Sequence, residues 1–268
     1  SGGRVLMSIR FLVIDGFNLI RRIYEARIPK KKHESESGDV SAEDMKQVIE
    51  ATKSSLVRAL KAHQPTHAAM VMEQHGKTWR DLLYLEYKAN RSETPPMLLS
   101  KLPEFSAAFA EIGVQSFGID GYEADDVVAT LATVVAANNG EVVILSTDKI
   151  YLQLVNDRVV VYDHFANKRC DRTYIKEKYG IAQEQYIDYL ALVGASSNNI
   201  KGVPGVGPKS AVIMLSEYGA LDHILSADPA STMLKKVSAG SREAHLSKQL
   251  VTLKIDVELS QNLKSFRL

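Results

Sequence analysis

Cysteine occurs once in this 268-residue chain, at Cys170. That excludes an intrachain disulfide and any zinc site built on several cysteines, and it suits a reducing cytosol. Charge of one sign is missing too: the formal net charge is +1, so neither a polyacidic nor a polybasic character stands out. A basic face can still hide in such a total if acids are gathered for another purpose. No stretch approaches the roughly 18 apolar residues of a membrane span and no signal-peptide pattern is present, so the expectation is a cytoplasmic protein with no membrane partner. Histidine is sparse, and His63, His67 and His75 lack ligand spacing and read as surface or strand-edge residues. Internal repeats and low-complexity tracts are absent. What is there is 45% hydrophobic content over a length sufficient for one large domain, or for a core with a smaller module. Ser1-Gly2-Gly3 ahead of Met7 reads as a cloning remnant, and residues 1–6 are set aside.

The first half alternates strand and helix signals, which predicts an α/β fold with a mainly parallel sheet covered on both faces. Strands are expected at 10–14, 67–72, 113–117, 141–146 and 158–162, and helices at 41–62, 79–91, 103–111 and 125–138, the last closed by Asn139-Gly140. Pro29 to Val40, with mixed charges, reads as a polar loop. After about residue 173 the chain turns to helices broken by Gly and Pro: 174–179, 183–192 and 209–218, with 200–208 as a tight connection and a helix-rich remainder.

Acidic residues punctuate the strand ends. Phe11 to Ile14 runs into Asp15, Ala68 to Met72 into Glu73, and Val142 to Leu145 is followed within three residues by Asp148, while Glu123-Ala-Asp125-Asp126 opens the helix at 125–138. Singly, Asp125 and Asp126 read as first-turn acids favoured by the helix dipole. Parallel strands, however, align their carboxyl ends along one edge, where open α/β sheets place their sites. Four acidic points converging there repel one another unless protonated or neutralised, and a hard divalent cation is the usual neutraliser. The pattern reads as a magnesium site.

Two further motifs suit phosphate. Gly202-Val203-Pro204-Gly205-Val206-Gly207-Pro208-Lys209-Ser210 has glycines that allow close backbone approach and a proline fit for the first position of a helix whose free amides favour an anion. With the helix before it, this is a helix-hairpin-helix pattern that holds a nucleic-acid backbone without reading sequence; its alternative is an ordinary Gly/Pro turn between packed helices. A Walker loop is excluded by the spacing. In the predicted helix at 79–91, Arg80, Tyr84, Tyr87, Lys88 and Arg91 share one face, mixing cations and aromatics as single-stranded nucleic acid requires. An amphipathic helix of no special purpose reads equally well from that stripe alone.

The ordered set Val-Ile-Asp15-Gly, Glu73, Trp79-Arg80, Tyr87-Lys88-Ala-Asn-Arg91, Glu123-Ala-Asp-Asp126, Ser-Thr-Asp148-Lys and the Gly202–Ser210 hairpin resembles the bacterial 5′-nucleases, the flap endonucleases that also form the amino-terminal domain of DNA polymerase I. Among these it is most similar to the stand-alone exonuclease IX subfamily, from Met7 onward. The resemblance implies a PIN-like nuclease core over 7–173 with a helical arch around 76–111, and a helical DNA-binding region over 174–268. It implies magnesium, with manganese as a substitute, at Asp15, Glu73, Glu123, Asp125, Asp126 and Asp148. It gives catalytic roles to Lys88, Arg91, Asp125 and Asp126, and DNA contacts to Tyr87, Lys88, Arg91 and the hairpin residues Gly205, Val206, Gly207, Pro208, Lys209 and Ser210, to which the shared helix face adds Arg80 and Tyr84. It further implies a potassium ion on the carbonyls of Leu192, Val193, Lys201, Val203 and Val206. The expected partner is DNA with a 5′-flap or a single-strand/duplex junction, bound by a monomer.

The chain departs from that family pattern. Ile150, Ala195 and Asn198 stand where relatives with a full second metal site have carboxylates, and Glu73 replaces an Asp. Loss of three anionic ligands predicts a single divalent site. The competing expectation is a branched-DNA-binding protein without catalysis. A third, an RNA-directed PIN-type nuclease, fits the core but leaves the hairpin unexplained.

Overall fold

Residues 8–33 and 40–268 are described by the computed structural model. The five apolar runs form β1 (Arg10–Asp15), β2 (His67–Val71), β3 (Gln115–Phe117), β4 (Glu141–Leu145) and β5 (Val159–Asp163), all parallel, and β6 (Lys168–Cys170) adds an antiparallel edge, in the order β3-β2-β1-β4-β5-β6. The sequence reading missed β6, whose three residues are too few to show a two-residue alternation. The third strand begins at Gln115 rather than residue 113, because Gly113 takes a left-handed conformation (φ 98°) to end the preceding helix.

The helices are, in order, α1 (Gly16–Arg27), α2 (Lys30–His33), α3 (Ala42–His63), α4 (Trp79–Leu83), α5 (Pro96–Ser100), α6 (Leu102–Ile112), α7 (Ala124–Ala137), α8 (Arg172–Tyr179), α9 (Tyr186–Val193), α10 (Pro208–Tyr218), α11 (Leu221–Ser226), α12 (Thr232–Ala239) and α13 (Ser241–Val251). Successive side chains of β1 point to opposite faces, and each face has its own core. Leu12 and Ile14 pack with residues of α1, α3 and α6; Phe11 and Val13 pack with α7 and with the C-terminal helices, so the helical region and the sheet share one apolar core. The expected loop at 29–40 opens instead with α2, held by Lys32 against Asp44 at 2.9 Å; residues 34–39 of that expectation, and residues 1–6, lie outside the described residues. Among the described residues no helix is long and apolar enough to cross a membrane.

β1 lies between β2 and β4, so the chain leaves it to both sides and a crevice opens at its carboxyl end. Asp15, Glu73, the start of α7 and Asp148 all fall on that edge.

Candidate active site

Asp15 ends β1 and caps α1, with Oδ1 accepting from the Asn18 amide at 3.4 Å. Its Oδ2 accepts from Ser146 Oγ at 3.1 Å and from the Tyr151 hydroxyl at 3.0 Å. Asp125 sits in the first turn of α7, its Oδ1 3.1 Å from the same Tyr151 hydroxyl. Asp148 caps the 3₁₀ turn Lys149–Leu154 through the Ile150 amide, at 2.9 Å. Glu73, exposed and just past β2, completes the set. These four line one cavity of about 510 Å3 together with Lys88, Arg91 and Arg21.

No three acidic, histidine or cysteine side chains among the described residues are gathered tightly enough to ligate one ion together. The set is open, yet its members sense one another. Burial, then the charges of Asp148 and Glu73, pushes the Asp15 carboxyl up to about 6; burial, then Glu123 and Asp148, holds Asp125 well above the ordinary carboxylate range. For Asp125 the nearby Lys88 ammonium offsets only part of this. Magnesium keeps several waters and takes one or two carboxylates directly, so an open acidic set fits it where a closed cage is not required.

Because folded Asp15 titrates at about 6 rather than 3.8, the folded state holds its proton more tightly than the unfolded chain. The stability this contributes is complete below the lower value and is lost as pH rises through the upper one. A divalent ion competes with that proton. Thermal unfolding is therefore expected to show a larger gain from added magnesium near about pH 7.5 than near about pH 5; equal gains would separate the ion from Asp15.

Two of the predicted metal ligands are otherwise engaged. Arg80 is 1% exposed, and its guanidinium donates to Glu123 Oε1 at 2.9 Å, to both oxygens of Asp126 at 2.9 and 3.0 Å, and to the carbonyls of Leu250 and Thr252 at 2.7 and 3.0 Å. Asp126, 0% exposed, also accepts from the Trp79 indole at 2.9 Å and the Lys254 amide at 2.8 Å. Glu123 accepts on Oε2 from the Tyr87 hydroxyl at 3.1 Å and from Lys88 Nζ at 2.5 Å. Burial would raise the Glu123 pKa, but Lys88 and Arg80 prevail and lower it. Neither acid lines the cavity. The two acids expected as ligands thus lie outside the cavity lining, paired with Arg80 and Lys88, where they link α4 to α7.

The helix expected at 79–91 stops at Leu83, and the turns that follow are bonded to the loop at 195–199. The Lys88 amide donates to Asn198 O at 2.9 Å, Asn90 Nδ2 to Ser196 O at 2.8 Å, Arg91 Nε to Ser197 O at 3.0 Å, and Asn199 Nδ2 to Glu86 O at 2.7 Å; Arg91 also meets Asn198 Oδ1. Lys88 adopts a left-handed φ of 57°, incompatible with a continuing helix. Tertiary bonding overrides the helical period here. The common face therefore does not form. Lys88 and Arg91 reach the cavity, whereas Arg80 is buried and Tyr87, 6% exposed, turns its hydroxyl to Glu123. Tyr84 is half-buried, bonded to Glu86 at 2.9 Å.

The glycine hairpin joins α9 to α10. Val203 N donates to Leu192 O at 2.9 Å and Val206 N to Val203 O at 3.1 Å, while Ala195 and Ile200 bond back on each other. Gly202 (φ 67°) passes so close to Gly194 that a Cβ would lie 2.5 Å from the Gly194 nitrogen. Pro208 takes the first position of α10, whose start has no side-chain cap, and Gly205, Gly207, Pro208 and Lys209 are exposed, with Ser210 half-buried and Val206 buried. Of the five carbonyls expected to hold potassium, those of Leu192 and Val203 already accept one backbone N–H, and each keeps a second lone pair.

Sequence reasoning passed over Tyr151, Ser146 and Asn18. Asn18 exchanges two hydrogen bonds with Thr147, at 2.8 and 3.0 Å, and so ties α1 to the Asp148 loop. Tyr151 stands three residues after Asp148, one turn of a 3₁₀ helix, a spacing that could have marked it; Ser146 and Asn18 carry no such signal.

Two family models divide the chain. One, described as the 5′-3′ exonuclease, N-terminal resolvase-like domain, matches residues 10–180, and the other, the 5′-3′ exonuclease, C-terminal SAM fold, matches 181–268. Flap endonuclease Xni of Psychromonas ingrahamii is 39% identical over 267 residues, covering 97% of this chain and 98% of its own. Its namesake in Shewanella pealeana is 41% identical over 261 residues and 97% of each chain. Among solved structures, the T5 D15 protein co-crystallized with metal ions has a TM-score of 0.71 at 21% identity, over 90% of this chain and 88% of that one. The catalytic core of Rad2 in complex with DNA has a TM-score of 0.57 at 14% identity, over 96% and 81%. At those identities the structural likeness speaks for the fold.

Proposed function

The chain belongs to the 5′-3′ exonuclease family, and on that premise we propose that it is a structure-specific DNA 5′-nuclease, hydrolysing phosphodiester bonds at 5′-flaps or single-strand/duplex junctions with magnesium. One observation carries the reading: Asp15, Asp125 and Asp148 meet in a cavity that Lys88 and Arg91 also line. Asp15 and Asp125 would hold the ion, or manganese in its stead, with Asp148 and Glu73 reaching it through water. When bound, it supplies Lewis-acid polarisation of the phosphate and acidifies an attacking water.

The chain's own cations do the rest. Burial would lower the Lys88 pKa, but the charges of Glu123, Asp125 and Glu73 outweigh it and keep the ammonium protonated. Lys88 and Arg91 then meet negative charge as it builds on the phosphate in the transition state. Lys88→Ala and Arg91→Ala are each expected to lower kcat by about 10²–10³ with KM little changed. A raised KM at unchanged kcat would reduce them to binding residues.

The cleft beside the cavity supports a single divalent site. It contains Asp148 as its one carboxylate, with Arg91, Lys149, Ile150, Ala195 and Asn198 around it, and Asn198 already accepts from Arg91. We extend the reading to potassium on the carbonyls of Leu192, Val193, Lys201, Val203 and Val206, and to duplex backbone on the open amides of α10. The observation favouring DNA binding without cleavage is that Lys88 and Arg91 are both tied to protein, to Glu123 and to Ser197 and Asn198. Incubation with magnesium and 5′-labelled flap, blunt duplex and single strand separates the readings: cleavage confined to the flap supports the nuclease, and binding with no product on any substrate supports the alternative.

A further inference from the structure

We propose that Tyr151 is a positioning residue for the divalent-cation site, its hydroxyl setting the gap between Asp15 and Asp125 that the ion enters. The inference rests on the metal reading of those carboxylates. The Tyr151 hydroxyl lies 3.0 Å from Asp15 Oδ2 and 3.1 Å from Asp125 Oδ1, and among the described residues it makes no other hydrogen bond. Among the described residues it is the only hydrogen-bond partner of the Asp125 side chain. Asp15, by contrast, is also held by Ser146 and Asn18. Tyr151 thus ties the poorly anchored carboxylate to the firmly anchored one.

The anchor itself is rigid. Tyr151 is 0% exposed, its ring belongs to the core that includes Val127 and Val161, and its backbone lies in the 3₁₀ turn that Asp148 begins. One short segment therefore supplies an acid of the cavity and the spacer between two others. A phenol has a single proton, so it can donate to one carboxylate oxygen at a time and leaves the other needing a positive partner. The spacer prepares the gap without filling the need that the ion meets. Partners that orient metal-binding side chains commonly govern affinity by 10–100-fold when removed.

Manganese binding to the full, metal-free chain, followed by isothermal titration calorimetry, tests this. Tyr151→Phe keeps the ring and its packing. It is expected to weaken manganese binding about 10–100-fold, and the manganese concentration for half-maximal flap cleavage should rise by the same factor. The control is Tyr186→Phe, which loses the hydroxyl of another buried tyrosine, bonded to Lys149 O at 2.8 Å and to neither carboxylate; it should bind manganese as the wild type does. Wild-type affinity in Tyr151→Phe, with or without a lower melting temperature, would make the hydroxyl structural only and overturn the proposal. Absence of binding to the wild type would instead remove the metal reading beneath it.

Discussion

Asp125→Asn is expected to raise the melting temperature of the metal-free protein and, in the same molecule, to lower flap cleavage by about 10³-fold. Both effects have one cause. Asp125 is buried beside Glu123, Asp148 and Asp15, and burial together with those neighbours holds its carboxyl well above the ordinary range, so ionising it costs more in the folded protein than in the unfolded chain. Asparagine keeps the shape and deletes the charge. On the proposed metal reading it deletes the cation's direct support as well, and several kcal/mol of transition-state charge stabilisation at 1.36 kcal/mol per tenfold gives a loss of that order. Thermal unfolding in EDTA and cleavage in magnesium, run on one preparation, check the pair. A variant that melts lower and still cuts would place Asp125 outside the metal site.

Arg80→Ala is expected to cost about 3–5 kcal/mol of stability, the penalty for breaking a buried ion pair from one side. The guanidinium meets two oxygens of Asp126 and one of Glu123 and satisfies the carbonyls of Leu250, in the last turn of α13, and of Thr252, just after it. Alanine strands the buried Asp126 without its charge partner, leaves only the Trp79 indole bonding α4 to it, and removes the guanidinium's bonds to Leu250 and Thr252. For a chain of this size the melting temperature should fall by roughly 10 °C. Arg80→Lys should recover little, because one ammonium cannot reproduce a five-donor fork spread over four acceptor groups. Urea unfolding of the two variants decides it: a loss under about 1 kcal/mol would return Arg80 to the surface role that the sequence pattern suggested.

The sheet was legible because its strands are buried on both sides and read as uninterrupted apolar runs ending in Asp15, Glu73 and the Asp148 loop. The switch point at β1 then carries those ends to one edge. The same logic does not tell the three acids of Glu123-Ala-Asp125-Asp126 apart. Adjacent helix residues point in different directions, so one acid faces the cavity while Asp126 turns inward to Arg80. An acidic cluster in sequence does not say which member meets solvent. The stripe from Arg80 to Arg91 failed for another reason: its period is helical, but the bonds that decide its shape go to residues 196–199, more than a hundred positions away. Tyr151 went unread since an aromatic residue in an apolar run looks like packing until its hydroxyl is seen between two carboxylates.

The most direct test follows the 5′-labelled flap substrate with purified protein, first in excess EDTA and then through a magnesium titration. The account predicts no product without the ion and saturable cleavage as it is restored. Cleavage that persists under full chelation, or none at any magnesium concentration, would contradict it.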